Sequence, residues 1–316
     1  MVVGRKGAYR GIHYSPDDFW VIDTAYYVQP RRRMSMRWIY YALSNLDINS
    51  MDSGSAIPST SRSDFYAIPA LLPPVSAQEA IADLLGALDD KIAVNGRIAD
   101  ATCHLALSLF SEARWSSRTS LSSLCSLRKV QVMPSTLNVR AVAHHSLPAF
   151  DNGQVPDICS PDKILSAKFL VDESAVLFSK LNPNIPRVWR VEPKVGVPAL
   201  ASTEFLVLVP NPTVTTAELW AVACQDEFLS RLAARVTGTS KSHQRVRPDE
   251  VLASDVVDPR AIDEVTRQKV SSLVQRAQQA REENIGLAQL REVLLPKLMS
   301  GELRVKDAER SVSVAV

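Results

Sequence analysis

The sequence predicts an α+β protein: two globular α/β pieces, each followed by a long helix, with the two helices pairing as an antiparallel coiled coil. Two observations carry this reading. The chain repeats itself once at a long offset, and an extended single-stripe helical pattern follows each copy. The 316 residues, 46% hydrophobic and 22% charged, give room for two domains with real cores. A net charge of +2 does not announce a nucleic-acid partner, so any such case rests on local placement of charge. No apolar run approaches the roughly 18 residues of a membrane span, and the start Met1-Val2-Val3-Gly4 carries no apolar signal region, so a cytoplasmic protein is expected. Cys103, Cys125, Cys159 and Cys224 are scattered, without CxxC spacing or nearby histidines, and read as free, mostly buried thiols.

The first copy opens on Val2-Val3-Gly4-Arg5-Lys6, which matches Val176 through Lys180. Asp23-Thr24 with Tyr26-Tyr27-Val28 then matches Ser202-Thr203 with Phe205-Leu206-Val207, and Trp38 matches Trp220. Ser53-Gly54-Ser55 matches Thr237-Gly238-Thr239 at an offset of 184 residues. Each match is weak alone; their common order and near-constant spacing make them a repeat. The period is too long for a solenoid and describes a duplicated module. Residues 1–72 form the first globular piece and 119–257 the second, so the first is shorter at its front by about 67 residues and is expected to begin inside its domain.

Between them, residues 73–118 read as a helix. Pro73-Pro74 ends the globular piece, and Ser76-Ala77-Gln78-Glu79 has the form of a capping box. Ile81, Leu85, Leu88, Ile92, Asn95, Ala99, Thr102, Ala106 and Leu109 follow 4-3 spacing, a seam that wants a partner helix, with Asn95 as its polar, register-fixing residue. A capped surface helix on a globular core is the plainer alternative. Residues 258–303 repeat the design: Asp258 is the expected N-cap, with Pro259 at the first helical position. The stripe runs Val265, Val270, Leu273, Ala277, Ala280, Asn284, Leu287, Leu290 and Leu294; Pro296 should kink or end it, and Gly301 suits a stop. Residues 304–316 form a tail. Two such helices most simply pack on each other, with Leu85, Leu88, Ile92, Asn95, Leu273, Asn284, Leu287 and Leu294 as seam and partner-binding positions. An antiparallel pair, roughly 50–60 Å long at 1.5 Å per residue, would hold the globular pieces at opposite ends of a rod.

At this point the residues resemble a known family. Leu72-Pro73-Pro74, Gln78, Ile81-Ala82 and Leu88-Asp89-Asp90-Lys91-Ile92 in the first copy, and Leu294-Leu295-Pro296-Lys297-Leu298 through Leu303 in the second, are similar to the specificity (S) subunit of type I restriction-modification systems. The resemblance spans nearly the whole chain and departs in the short front. It implies two target-recognition domains, each reading one half of a split double-stranded DNA sequence, with helices that set the gap and grip two methyltransferase (M) subunits. Restriction-translocase (R) subunits would join them. It further implies adenine methylation directed by a subunit with no catalytic centre and no cofactor of its own, S-adenosylmethionine, ATP and Mg²⁺ residing on the partners.

DNA reading needs side chains that reach base edges and others that hold phosphates. The richest candidate loop is Thr237 through Arg245, where Thr239, Ser240, Lys241, Ser242 and His243 suit phosphate, Gln244 an adenine edge and Arg245 a guanine edge. Its first-copy counterpart offers Ser59, Ser61 and Arg62. Arg5, Lys6, Tyr9 and Arg10 form a second basic and aromatic cluster, mirrored by Lys180, Asn182, Asn184, Arg187 and Arg190. Polar surface turns are the plainer reading of both. The run Arg31-Arg32-Arg33 is either a phosphate grip or a solvated face, and His144-His145 reads as satisfied loop histidines rather than metal ligands.

No phosphate-binding GxxxxGK[ST] loop occurs, and Asn182-Pro183-Asn184-Ile185 lacks the second proline and the aromatic of an amino-methyltransferase motif. A Mg²⁺-dependent nuclease built on Asp162 or Asp172 with Glu192-Pro193-Lys194 is a weak rival, since Pro193 suits a central strand poorly. A helical scaffold that assembles methyltransferase subunits with impaired recognition is the other.

Overall fold

Short apolar alternations become antiparallel strands, and the two long stripes become helices. In the computed structural model, residues 1–6, 11–51, 59–112, 117–235 and 244–315 are described, apart from the side chains of 311 and 313–315. The first stretch holds β1 (Val2–Gly4), β2 (Ile12–His13), β3 (Ala25–Tyr27), α1 (Met36–Ser44), α2 (Arg62–Tyr66) and α3 (Val75–Glu112). There follow β4 (Arg118–Ser120), β5 (Cys125–Arg128), β6 (Gln131–Val132), β7 (Val142–His145), α4 (Leu147–Asp151), β8 (Asp157–Cys159) and β9 (Lys168–Val171). Next come β10 (Ala175–Ser179), β11 (Val188–Val191), β12 (Ala199–Ala201), β13 (Phe205–Pro210), α5 (Thr216–Ala223) and α6 (Asp226–Arg235). The last stretch is α7 (Pro248–Leu252), β14 (Asp255–Val257), α8 (Glu264–Ser300) and α9 (Val305–Ala315). The chain divides into two compact units, Met1–Asn95 with Glu283–Val316, and Gly96–Glu282, so α3 and α8 each contribute to both.

In the first unit β1 is the middle strand of an antiparallel sheet ordered β2-β1-β3. Its core joins Trp38, Ile39 and Tyr41 of α1 to Ile81, Ala82, Leu85 and Leu88 of α3, and these to Leu287, Leu294 and Leu298 of α8. The expected seam is therefore a packing surface here: Leu85, Leu88 and Asn95 are buried and Ile92 partly so. Polar contacts fix the register antiparallel. Asn95 donates to Glu283 at 2.8 Å, Asn284 to the Ile92 carbonyl at 3.0 Å, and Arg291 to Asp89 at 2.6 Å. The Leu88–Ile92 run thus alternates jobs. Leu88 fills the core, Asp89 also receives the Tyr41 hydroxyl at 2.6 Å, Asp90 pairs Arg37 at 2.8 Å and Lys91 pairs Glu283 at 3.0 Å.

In the second unit an antiparallel sheet ordered β11-β10-β13-β5 lies between two cores. The period of two along β10 sends Val176 and Phe178 to a helical core with Leu219, Phe228, Val270 and Ala277. Ala175 and Leu177 face a second core with Trp189, Ala199 and Phe205. A five-stranded sheet, β6-β9-β12-β7-β8, is antiparallel except at β7–β12. Leu273, expected in the seam, packs partly buried against the helical core.

Several helix ends differ from expectation. α3 begins at Val75, with the Pro74 carbonyl accepting from Ala77 and Gln78, so Ser76 lies inside the helix and caps nothing. Asp258 caps a short 3₁₀ turn, Pro259–Ala261, while the long helix starts at Glu264 with Asp263 accepting from the Thr266 amide at 3.0 Å. α8 continues through Pro296 to Ser300 and stops where Gly301 takes φ +77°. Pro296 sits within one turn of that end, where a single missing i→i−4 bond interrupts little helix. Val265 is 60% exposed and lies off the stripe.

Candidate nucleic-acid interface

The two repeats place their basic residues on the same main-chain frame, one in each unit. In the first, the Gly4 amide donates to Gly11 at 2.9 Å, Arg5 to Thr24 at 2.8 Å and Thr60 to Arg5 at 3.0 Å, with an antiparallel bridge between Lys6 and Ser59. In the second, Ser179 donates to Arg187 at 2.9 Å, Lys180 to Glu204 at 2.9 Å and Val246 to Lys180 at 3.0 Å, with a bridge between Leu181 and Arg245. Each bond in one set has its counterpart in the other. The five-residue helices α2 and α7 follow at the same distance from their bridges. This ladder aligns Arg5 with Lys180 and Thr24 with Glu204, one residue away from the alignment read off the letters. The caps of α1 and α5, Ser35 and Thr215, likewise set Trp38 opposite Glu218 rather than Trp220.

Side chains on this frame differ. In the first repeat the Arg5 and Arg62 guanidiniums lie over the Tyr26 ring, 5.5 Å and 5.4 Å from its centroid. The Tyr26 hydroxyl donates to the Thr60 carbonyl at 3.3 Å. Among the described residues no carboxylate pairs Arg5, Lys6 or Arg62. Ser61, expected to face DNA, accepts the Asp64 amide at 3.1 Å and caps α2.

In the second repeat Arg245 forks onto Glu204 at 2.9 and 3.0 Å; the hydrogen bonds hold the Glu204 carboxyl below its ordinary range and raise the guanidinium. The Gln244 carbonyl accepts from the Asn182 amide at 2.9 Å, and its side-chain oxygen from Asn184 at 3.3 Å. Asn182 adopts φ +51°, a left-handed turn that asparagine tolerates and that brings Asn184 back beneath Gln244. Arg187 forks onto Asp151 at 2.7 and 2.8 Å, which lowers the Asp151 carboxyl. Lys180, Asn182, Asn184, Gln244 and Arg245 are thus brought together at the end of β10, while Arg187 is directed at α4. Glu204, Asp151 and Tyr26 are parts of this geometry that sequence reasoning missed. An alignment set by strand pairing would have singled out Glu204 as the acid standing where the first repeat has Thr24.

Tyr9 and Arg10, and Thr239, Ser240, Lys241, Ser242 and His243, lie outside the described residues, as do the Ser53-Gly54-Ser55 and Thr237-Gly238-Thr239 matches. Of the run at 31–33, Arg33 lies 3.8 Å from Glu79. His145 is buried with its ring 4.6 Å from Trp189, and burial pushes its imidazole down to about 4. Two carboxylates of the nuclease rival are engaged elsewhere: Asp172 pairs Arg128 at 2.7 Å and Glu192 pairs Arg190. Among the described residues no group of three potential ligands could hold a metal, and no helix is long and apolar enough to cross a membrane. Cys103 and Cys125 are buried free thiols; Cys159 and Cys224 are free and partly buried.

Residues 7–101 match the type I restriction modification DNA specificity domain family. The S subunit of a type I restriction-modification system from M. genitalium shares the fold over 94% of this chain and 82% of its own, with a TM-score of 0.55 at 15% identity. The HsdS subunit from Thermoanaerobacter tengcongensis aligns over 84% of this chain and 70% of its own, at 16% identity and a TM-score of 0.35. A comparison with curated proteins finds no match.

Proposed function

With a type I restriction modification DNA specificity domain in residues 7–101 as the premise, we propose that the chain is the DNA-reading specificity subunit of a type I restriction-modification complex. It acts without a catalytic centre of its own, in the cytoplasm, directing adenine methylation and restriction at a split double-stranded site. The observation that carries this is the duplicated frame: two main-chain ladders of one pattern, each carrying basic side chains, joined in the second by the amides of Asn182, Asn184 and Gln244. Two frames with different side chains suit two different half-sites. Partner M subunits supply S-adenosylmethionine chemistry and R subunits ATP and Mg²⁺, while α3 and α8 set the spacing and hold the M subunits. The domain limits that go with this reading are 1–72 and 119–257 for the two target-recognition domains, 73–118 and 258–303 for the helices, and 304–316 for the tail.

The chain alone should transfer no methyl group. Assembled with a matching M subunit, it should bind and methylate one split sequence. Arg245→Ala should then cost roughly 1–3 kcal/mol on the cognate site and relax one base position. Lys180→Ala should weaken binding to all sequences alike and lower the salt slope by about one unit. Methylation by the purified chain, or identical behaviour of the two variants on single-base site variants at two salt concentrations, would sink the assignment.

A further inference from the structure

Two lysines of the second unit line one cleft. Val207 and Arg128 are the last pair of the β13–β5 ladder, so Lys129 leaves the sheet beside Leu206. The chain then crosses to the five-stranded sheet, where the Val130 carbonyl accepts from Leu170 at 2.9 Å. On the other side of β13, Leu206 pairs Phe178 of β10, and two residues further on the Lys180 amide donates to the Glu204 carbonyl at 2.9 Å. Paired residues of an antiparallel ladder share a face, as do residues two apart along a strand. Lys129 and Lys180 therefore stand on one face of the sheet, flanking Leu206. A cleft of about 370 Å³ opens here, lined by both lysines and by Leu127, Phe169, Phe205 and Leu206. The arginines around it are neutralised within the protein: Arg128 by Asp172 at 2.7 Å, Arg245 by Glu204 at 2.9 Å and Arg187 by Asp151 at 2.7 Å. Among the described residues no carboxylate forms a salt bridge with Lys129, which is exposed, or with Lys180, which is half-buried. The one acid that feels Lys180 is Glu204, whose carboxyl is lowered first by Arg245.

We propose that this cleft seats one phosphodiester of the bound DNA, with Lys129 and Lys180 as its two cations and the apolar lining against the adjoining deoxyribose. Two unpaired ammonium groups converging on one space are complementary to an anion, and lysine binds phosphate as a compact point charge. The apolar lining suits sugar carbons better than it suits a free, hydrated ion. The volume lies at the small end of ligand clefts, enough for one unit of a chain and too little for a base pair. The cleft also adjoins the candidate readers. Val246 donates to the Lys180 carbonyl at 3.0 Å, and the bridge between Leu181 and Arg245 follows. A phosphate held here would fix the register of the strand whose bases reach Gln244 and Arg245, because backbone contacts position while base contacts specify. The inference rests on the reading of the chain as a DNA-binding subunit and adds to it Lys129, a positioning residue far in sequence from the loop that carries Gln244 and Arg245.

The test uses the chain assembled with its M subunit and a duplex of the split sequence it methylates, with binding measured over a range of salt. Lys129 is exposed, so Lys129→Gln removes the charge and keeps the fold. The variant should lower the slope of log affinity against log salt by about one unit, on cognate and unrelated sequences alike, as should Lys180→Gln. Methylphosphonate substitution then neutralises one phosphate at a time along the half-site read by the second domain. One position should weaken wild-type binding about fivefold and affect both variants much less, and it should be the same position for the two lysines. Three results overturn the proposal: an unchanged slope in an assembled Lys129→Gln complex; coupling of the two lysines to different phosphates, or to none; or DNA binding weakened tenfold when inorganic phosphate replaces chloride at equal ionic strength, which would assign the cleft to a free anion. A wild-type complex that binds no DNA at all is a separate outcome, which removes the DNA-binding reading and this proposal with it.

Discussion

The first and second repeats hold the same main-chain bonds and opposite charge arrangements. Where the second neutralises Arg245 with Glu204, the first has Ser59 and Thr24, and its guanidiniums lie on the Tyr26 ring instead. A ladder is made by backbone groups and tolerates substitution, so it persists while the side chains it carries diverge. The same contrast recurs where α1 and α5 meet the long helices. The N-cap amide of α1, at Ser35, donates to the neutral Gln78 of α3 at 3.1 Å. The N-cap amide of α5, at Thr215, donates to Glu218 at 2.7 Å, and Glu218 is paired by Arg267 of α8 at 2.5 Å.

That second contrast gives the largest expected effect. Glu218 is 1% exposed, so Glu218→Ala leaves the Thr215 amide without its acceptor and the Arg267 guanidinium with only its longer contacts to Glu264 and the Thr213 carbonyl, at a cost of about 2–3 kcal/mol. Gln78→Ala removes neutral hydrogen bonds to Ser35 and to the Pro73 carbonyl and should cost about 1–2 kcal/mol. Denaturant titration of both variants checks the order. Equal losses would mean that the ionic and neutral versions of the joint are energetically equivalent.

How much of this was legible follows from what each signal depends on. The α3 seam was readable because 4-3 spacing is a local property, and Leu85, Leu88 and Asn95 are buried as that spacing requires. The repeat was readable in outline but not in register, because strand alignment is decided by hydrogen bonds between distant residues; Arg5 corresponds to Lys180 because its amide donates to Thr24 as that of Lys180 donates to Glu204. The Arg245–Glu204 and Arg187–Asp151 pairs join residues 41 and 36 apart on different elements, and no local pattern announces them. The extra strands of the second unit hid for the same reason, being two to four residues long.

Those extra strands set up the next test. His145 belongs to the five-stranded sheet, which has no counterpart among the described residues of the first unit. Its imidazole is pushed down to about 4 by burial, against an ordinary value near 6.5. The unfolded chain therefore binds this proton more readily than the folded one. The contribution of neutral His145 is complete above about pH 6.5 and is lost as pH falls through that value towards 4, by at most about 3 kcal/mol. Burial lowers the neighbouring His144 as well, in the same sense. Amide exchange between pH 7 and 4.5 should show the second unit loosening before the first, and His145→Phe should flatten the difference. Parallel loosening of both units would show that the histidine pair does not control it.

A smaller effect separates the two frames on DNA, if the chain reads DNA as proposed. Glu204→Gln frees Arg245 and should tighten binding of the assembled methyltransferase to all sequences, by about 1 kcal/mol at low salt. Thr24→Glu places the same carboxylate on the first frame and should weaken binding by a similar amount. Changes of the same sign in the two variants, measured at two salt concentrations, would show that these strand ends do not face phosphate or bases.

The smallest effect concerns what replaces the ion pair in the first repeat. Each guanidinium over Tyr26 is worth roughly 0.5–1 kcal/mol at an exposed site. Leu206 stands in the place of Tyr26 in the second repeat, so Tyr26→Leu keeps an apolar strand residue and removes only the ring face and the hydroxyl bond to Thr60. The variant should lose about 1 kcal/mol. In a double-mutant cycle with Arg62→Ala the coupling should be about half a kcal/mol or more, and nearly independent of salt, because the ring carries no net charge for ions to screen. The Arg245–Glu204 cycle, between two partly exposed full charges, should give a coupling that shrinks as salt rises. A salt response confined to the Arg245–Glu204 cycle would establish that the repeats hold their arginines by different physics on one backbone. Matching responses would leave the Tyr26 contacts as mere proximity.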